Sequence, residues 1–141
     1  MKTKRTWILL STVLSIGSFP LLPIQIAQAQ EAFQLDVTQE SATVDPQTGQ
    51  VTISGTVTCS EPADAQVYVT VTQPIGRDKG VAGSNYALVR CDQDGEPYTV
   101  SLFAYEGRFG PGRAVVIVDS YACSYYSCDD AHLQQSVRLR P

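Results

Sequence analysis

Apolar and polar residues alternate with a period of two along most of this chain, from residue 33 to residue 139. A period of two places neighbouring side chains on opposite faces of a β-strand, so each alternating segment is predicted to be a strand with one buried face. Valine, threonine and tyrosine, which favour strands, are frequent in these segments. The predicted strands cover residues 33–38, 50–59, 65–73, 83–91, 97–104, 112–123 and 132–140, with a shorter eighth segment at 42–45.

Turn-forming residues separate these strands, as at 45–49, 74–76, 94–97 and 107–112, and no segment has the period of an amphipathic helix. Seven or eight strands joined by short turns predict an all-β fold, an immunoglobulin-like antiparallel β-sandwich. A closed barrel of the same strands is the alternative, because periodicity alone does not distinguish the two architectures.

The chain contains four cysteines, at positions 59, 91, 123 and 128. An even number in a small exported chain indicates two disulfides. The spacings are unlike those of a zinc site, whose cysteine pairs have two or three residues between them. Cys59 lies on the apolar face of its strand, whereas Cys123 shares a face with Tyr121. We therefore predict a Cys59–Cys91 bridge and a short Cys123–Cys128 loop rather than a Cys59–Cys123 bridge.

Residues 1–29 have the three parts of a secretory signal peptide: a basic head, a short apolar stretch and small residues at Ala27 and Ala29. An uncleaved anchor helix is the alternative, but Pro20 and Pro23 interrupt the apolar stretch. We expect cleavage after Ala29, which leaves a single domain at residues 30–141, either secreted or periplasmic, with no membrane anchor.

Cleavage changes the charge of the protein. Lys2, Lys4 and Arg5 leave with the leader, so seven basic residues remain against 14 acidic ones and the formal charge moves from −4 to −7. An acidic domain is a poor ligand for nucleic acid, because a basic surface supplies most of that affinity. The sequence therefore predicts a partner other than nucleic acid.

Three carboxylates alternate along residues 92–96, namely Asp92, Asp94 and Glu96, which is how a calcium loop begins. The alternative is that Asp94-Gly95 forms a hairpin turn between the strands at 83–91 and 97–104. No other cofactor is expected. The chain has one histidine, His132, and no nucleophile motif accompanies it, so we do not expect an enzyme.

If successive strands run in opposite directions, the strands that end near residues 59, 91 and 123 end at one pole. All four cysteines and most of the acidic residues then lie at that pole, and most arginines lie at the other. Tyr125 and Tyr126 are in the short disulfide loop at the acidic pole, close to Tyr121. We predict these three tyrosines to be contact residues for a partner, with the alternative that they cover the end of the sandwich.

The segment from Ser54 to Ala63, SGTVTCSEPA, resembles a group of exported bacterial immunoglobulin-like domains of unknown function. Further features that carry this resemblance are Gln73, Gly76-Arg77, Cys91-Asp92, the PYTV of residues 97–100, the GPG of residues 110–112 and the short loop from Ala122 to Cys128. The short loop also resembles that of the neocarzinostatin-type chromoproteins, although 32 positions separate the other two cysteines, more than in that family.

The first resemblance implies a family of unknown function and carries no known catalytic or binding residue to this chain. We expect an exported, non-enzymatic binding or structural module. Its partner would be an unknown protein or small ligand in the cell envelope or outside the cell. The chromoprotein resemblance implies the alternative of a carrier for a small apolar ligand, which would require an apolar cleft beside the short disulfide loop. A weak calcium-binding module is a further alternative.

Overall fold

The computed structural model describes residues 31–141, so the predicted leader and its cleavage site lie outside the described residues. The described residues form eight β-strands and no helix. The strands are β1 (Leu35–Val37), β2 (Ser41–Val44), β3 (Val51–Cys59), β4 (Ala63–Ile75), β5 (Lys79–Cys91), β6 (Glu96–Leu102), β7 (Gly112–Cys123) and β8 (Cys128–Leu139). No helix within residues 31–141 is long and apolar enough to cross a bilayer.

The strands form two antiparallel sheets of four strands each. In the first sheet β3 is central: β6 pairs along one side of it, while β1 and β2 pair one after the other along its opposite side. The second sheet has the order β5-β4-β7-β8 and is built on two hairpins, β4–β5 and β7–β8. The predicted all-β, antiparallel arrangement is confirmed.

One hydrophobic core lies between the two sheets, because the apolar face of each strand is turned inward. Val51, Ile53 and Val57 of β3 are completely buried, and so are Val67 and Val69 of β4. Only two polar side chains, those of Gln73 and Ser120, are buried in the described residues. The Gln73 amide donates to the Gly110 carbonyl at 2.8 Å and accepts from the Gly110 N–H at 3.0 Å, which ties the end of β4 to the loop before β7.

Two predicted turns differ from the structure. The turn placed at residues 74–76 begins later, because Pro74 and Ile75 continue β4 and pair with Gly80 and Lys79. The predicted Asp94-Gly95 hairpin is wrong, because β5 and β6 belong to different sheets. Instead, this exposed turn carries the chain from one sheet to the other, and Gly95 adopts a positive φ of 83° in it.

The two disulfides link Cys59 with Cys91 and Cys123 with Cys128, the pairing that strand parity favoured. The first is fully buried and joins the end of β3 in one sheet to the end of β5 in the other. The second closes the β7–β8 hairpin, with Cα atoms 3.9 Å apart. The strand register places all four cysteines at the same end of the molecule.

Removing the buried disulfide should destabilise the protein more than removing the short one. A loop of 32 residues loses roughly 3.7 kcal/mol of unfolded-state entropy when it is closed, against about 2.2 kcal/mol for the short loop. We expect urea unfolding to show a decrease in unfolding free energy of roughly 4 kcal/mol for Cys59→Ala/Cys91→Ala and about 2 kcal/mol for Cys123→Ala/Cys128→Ala. Equal decreases would contradict the dependence on loop length from which this difference is predicted.

Tyr98 makes the free energy of unfolding depend on pH in the alkaline range. Burial, helped by the nearby Glu40 charge, raises its pKa from 10.0 to about 12, and its hydroxyl donates to the Thr38 carbonyl at 2.7 Å. In the unfolded chain this phenol ionises at lower pH than in the native state. Its contribution to stability is therefore complete below pH 10 and is lost as pH rises to about 12.

Urea unfolding at a series of pH values should show this loss in the wild type. Tyr98→Phe should be less stable by about 1 kcal/mol at neutral pH, because the hydrogen bond is lost, and its stability should decline less steeply between pH 10 and 12. Tyr86→Phe, at a half-exposed tyrosine, is the matched control. The interpretation fails if the Tyr98→Phe slope equals that of the wild type.

Candidate functional site: the tyrosine-bearing end of the four-stranded β5-β4-β7-β8 sheet

The tyrosine loop, defined as residues 123–128, is a hairpin turn with several tethers. The disulfide closes its base, and the Ser124 N–H donates to the Ser127 carbonyl at 2.8 Å. The Ser124 hydroxyl accepts from the N–H groups of Tyr126 and Ser127, at 3.3 and 3.4 Å. The Ser127 hydroxyl in turn accepts from the Phe33 N–H at 3.2 Å, so the loop is held against the chain segment before β1.

The loop presents two tyrosine rings to solvent. The Tyr125 side chain is 92% exposed and that of Tyr126 is 73% exposed. Their ring centroids lie 4.9 Å apart in an edge-to-face arrangement with an interplanar angle of 77°, which is a favourable geometry for two aromatic rings. At these exposures the two rings project from the pole into solvent.

Tyr121 lies on β7 rather than on the loop, and its side chain is on the outer face of the sheet. Its hydroxyl lies 3.1 Å from the Cys123 sulfur. A disulfide sulfur carries no hydrogen, so the hydroxyl is the donor in this contact. Tyr121 therefore connects the tyrosine loop to the outer face of the four-stranded sheet.

On this outer face, two adjacent rows of side chains cross all four strands, and we call them the two-row patch. Cross-strand pairing and outward parity define the rows as Leu88, Gln66, Tyr121 and Asp130, followed by Tyr86, Tyr68, Asp119 and His132. The apolar and aromatic members are 41–75% exposed. Neighbouring strands lie about 4.8 Å apart, so the rows form one continuous surface on a rigid sheet.

Hydrogen bonds orient the polar groups of the two-row patch. The Tyr68 hydroxyl lies 2.7 Å from the Ser84 hydroxyl, which also contacts the hydroxyl of Tyr105 from the loop after β6. His132 Nδ1 lies 2.6 Å from an Asp119 carboxylate oxygen, and both side chains are more than half exposed. The Tyr68 ring is thus oriented by one network and the Asp119 carboxylate by another.

A groove of about 350 Å³ lies within the two-row patch, beside the tyrosine loop. The side chains of Gln66, Tyr68, Asp119, Tyr121 and Asp130 line it. Two aromatic rings, two carboxylates and an amide give the groove a mixed aromatic and acidic character. It is therefore unlike the apolar cleft that a carrier of apolar ligands would require.

The three carboxylates of the predicted calcium loop do not converge. The Asp92 carboxylate accepts the Asp94 N–H at 2.9 Å, and the Asp92 carbonyl accepts from Cys59 at 2.9 Å and from Gly95 at 3.4 Å. Asp92 is thus engaged in the turn, and Glu96 begins β6 as partner of Val57. Within residues 31–141 no three His, Cys, Asp or Glu side chains are arranged as metal ligands.

Charge is separated along the molecule as the strand directions predict. The cysteine-bearing pole contains the acidic residues Glu61, Asp64, Asp92, Asp94, Glu96, Asp129 and Asp130, with Arg90 close by. The opposite pole contains most of the arginines. One of them has an internal role, since Arg108 donates to the carbonyls of Pro46 and Gln47 in the turn between β2 and β3.

Sequence reasoning predicted the tyrosine loop but not the two-row patch. Tyr68, Tyr86 and Leu88 occupy the outward positions of their predicted strands, where half-exposed residues are common and unremarked. They are brought together by the register of β4 against β5 and β7. The periodicity of a sequence predicts which face a residue lies on, but it does not predict which residues pair across strands. The available signal was the unusual size of three outward side chains on two successive strands.

No protein-family model and no curated protein matches this chain. Among solved structures, the chain is similar to a β-glucosidase from Listeria innocua in complex with glucose, with a TM-score of 0.44 and 14% sequence identity over 77% of this chain and 16% of that one. It is also similar to the ApaA protein from Bordetella pertussis, with a TM-score of 0.46 and 14% identity over 78% of this chain and 95% of that one. Similarities at this level assign neither a family nor an activity to the chain.

Proposed function

We propose that this protein is an exported, non-enzymatic binding module on an immunoglobulin-like sandwich, and that it contacts its partner through the tyrosine loop and Tyr121. The observation that carries this proposal is the exposure of Tyr125 and Tyr126, at 92% and 73%, on a loop closed by a disulfide. Large apolar side chains that project singly from a protein are common, whereas two neighbouring rings in edge-to-face contact on a tethered loop are suited to recognition.

The tethers of the loop favour binding because they reduce its entropic cost. A flexible loop loses conformational freedom when a partner orders it, and that loss weakens the affinity. Here the disulfide, the Ser124 hydrogen bonds and the Ser127–Phe33 contact restrict the loop before any partner arrives. Tyrosine adds a large contact area with few rotatable bonds, so the remaining ordering cost is small.

The immunoglobulin-like assignment is supported by the partition of the strands. The sheet order β5-β4-β7-β8 corresponds to the C′-C-F-G order of variable-type immunoglobulin sheets, and β3 with β6 corresponds to the B–E pair. A parallel bridge between Thr43 and Arg140 further joins β2 to the end of β8. The disulfide differs from that of antibodies, since it ties β3 to β5 rather than to β7.

Two disulfides indicate an oxidising compartment, outside the cell or in the periplasm. A leader at residues 1–29, cleaved after Ala29, is the route that we propose to that compartment.

A binding role is also consistent with the surroundings of His132. A histidine that activates a serine bonds the serine with one ring nitrogen and a carboxylate with the other. His132 has the carboxylate of Asp119 at 2.6 Å. In the two-row patch Asp119 itself lies opposite His132 and Asp130 lies beside it on β8, and neither is the serine or cysteine nucleophile that such a triad uses.

Removal of the two loop rings tests the proposal. Tyr125→Ser/Tyr126→Ser should reduce affinity for the native partner by at least about tenfold, since exposed aromatic anchors carry much of the energy of an interface. The partner is obtained by affinity capture from the native envelope and medium, and its binding to each variant is then measured by calorimetry with purified components.

Ile75→Ser/Phe103→Ser is the matched control, because it removes two exposed apolar side chains outside the tyrosine loop. This control should keep the wild-type affinity, and both variants should keep the wild-type melting temperature. If the captured proteins and their affinities are the same for the loop variant and the wild type, the loop is not the contact surface.

A further inference from the structure

The groove in the two-row patch combines aromatic faces with carboxylates. Tyr68 and Tyr121 supply two ring faces. The cross-strand neighbour of Tyr68 is Asp119 on β7, and that of Tyr121 is Asp130 on β8. The face of an aromatic ring carries partial negative charge. All of these groups therefore attract the same kind of ligand, one with a positive charge.

The carboxylates of this groove are largely without cations of their own. Within residues 31–141, the Asp119–His132 contact is the one pair of oppositely charged side-chain types within 4.0 Å. Asp130 is exposed and belongs to no such pair in that part of the chain. The adjacent acidic pole adds further negative charge, which attracts cationic groups over a longer range.

We propose that this groove binds an arginine side chain presented by a polypeptide partner. A guanidinium group is planar and weakly hydrated, so it stacks on a tyrosine ring while its N–H groups donate to a neighbouring carboxylate. In the groove, Tyr121 supplies the ring, and its cross-strand partner Asp130 supplies the acceptor. Hydrogen bonds between two charged groups are the stronger ones, which gives the site its selectivity for a cation.

The surroundings of the groove favour a polypeptide over a free small cation. The two-row patch continues to Tyr86 and Leu88 on β5, about 10 Å from β7 across two strand spacings. Leu88 is 75% exposed and Tyr86 is 53% exposed. A polypeptide with an arginine and a nearby apolar residue contacts both the groove and the exposed side chains of Tyr86 and Leu88, whereas a small cation contacts the groove alone.

This inference rests on the proposed binding role but concerns the sheet face rather than the tyrosine loop. The two are therefore tested with different variants. Random peptides displayed on phage are selected on the protein purified with both disulfides formed. Selected peptides are then synthesised in pairs, with arginine or with citrulline, its neutral isostere, and their affinities are measured by calorimetry.

The selected peptides should be enriched in arginine next to an aromatic or aliphatic residue. Replacing arginine by citrulline should weaken binding by at least about tenfold, and added salt should weaken the arginine peptide more than the citrulline peptide. Asp130→Asn and Tyr121→Ser should each weaken the arginine peptide by a similar factor. Asp78→Asn, which makes the same charge change in the turn between β4 and β5, should have no effect.

Two results of these measurements would overturn the inference: equal affinity for the arginine and citrulline peptides, and a selection without arginine enrichment. Binding that is lost in Tyr125→Ser/Tyr126→Ser but kept in Asp130→Asn would also reject the groove while supporting the tyrosine loop. Circular dichroism of each variant verifies that the exposed substitutions leave the fold intact.

Discussion

The buried Cys59–Cys91 disulfide is the constraint on which the arrangement of this molecule depends. It joins the end of the central strand of one sheet to the end of an edge strand of the other, with its Cα atoms 5.5 Å apart. Because both residues are strand ends, the bridge brings the acidic ends of β3 and β5 together at one pole. The turn at residues 92–95 then passes from one sheet to the other, and the Cys59 N–H donates to the Asp92 carbonyl at the start of that turn.

A second constraint acts in the sheet that contains β3. The chain between β1 and β2 passes so close to Gly55 that a Cβ atom there would overlap the Thr38 carbonyl. The same carbonyl accepts the hydroxyl of Tyr98 from β6, which pairs with Gly55 in the register. Gly55 and Tyr98 therefore act together: the glycine admits the passing chain, and the tyrosine satisfies the carbonyl that the approach would otherwise leave without a partner.

Much of the strand content could be predicted because burial on one face imposes a period of two. The alternating pattern predicts a strand at 50–59, and β3 occupies Val51–Cys59. Strand pairing is harder to predict from sequence. β5 begins at Lys79, four residues before the predicted start, because Gly80 and Val81 pair with Pro74 and Gln73. These first residues of β5 lack the alternating pattern that identifies a strand. The tyrosine loop could be found because a disulfide of short span is local. The two-row patch could not, since it exists only through the register of four strands.

The composition of the outer sheet face argues that the two-row patch is more than a consequence of strand propensity. The next two rows toward the opposite pole contain Ser84, Thr70, Ile117 and Gln134, then Ala82, Thr72, Val115 and Ser136. Small, polar and β-branched residues thus occupy the outward positions of the same four strands in these rows, so the strands form there without aromatic side chains. Exposed tyrosine and leucine in water contribute little to stability. Three aromatic side chains concentrated in two rows, beside two carboxylates, therefore distinguish the two-row patch from the rest of this sheet face, and recognition is the role that we propose for it.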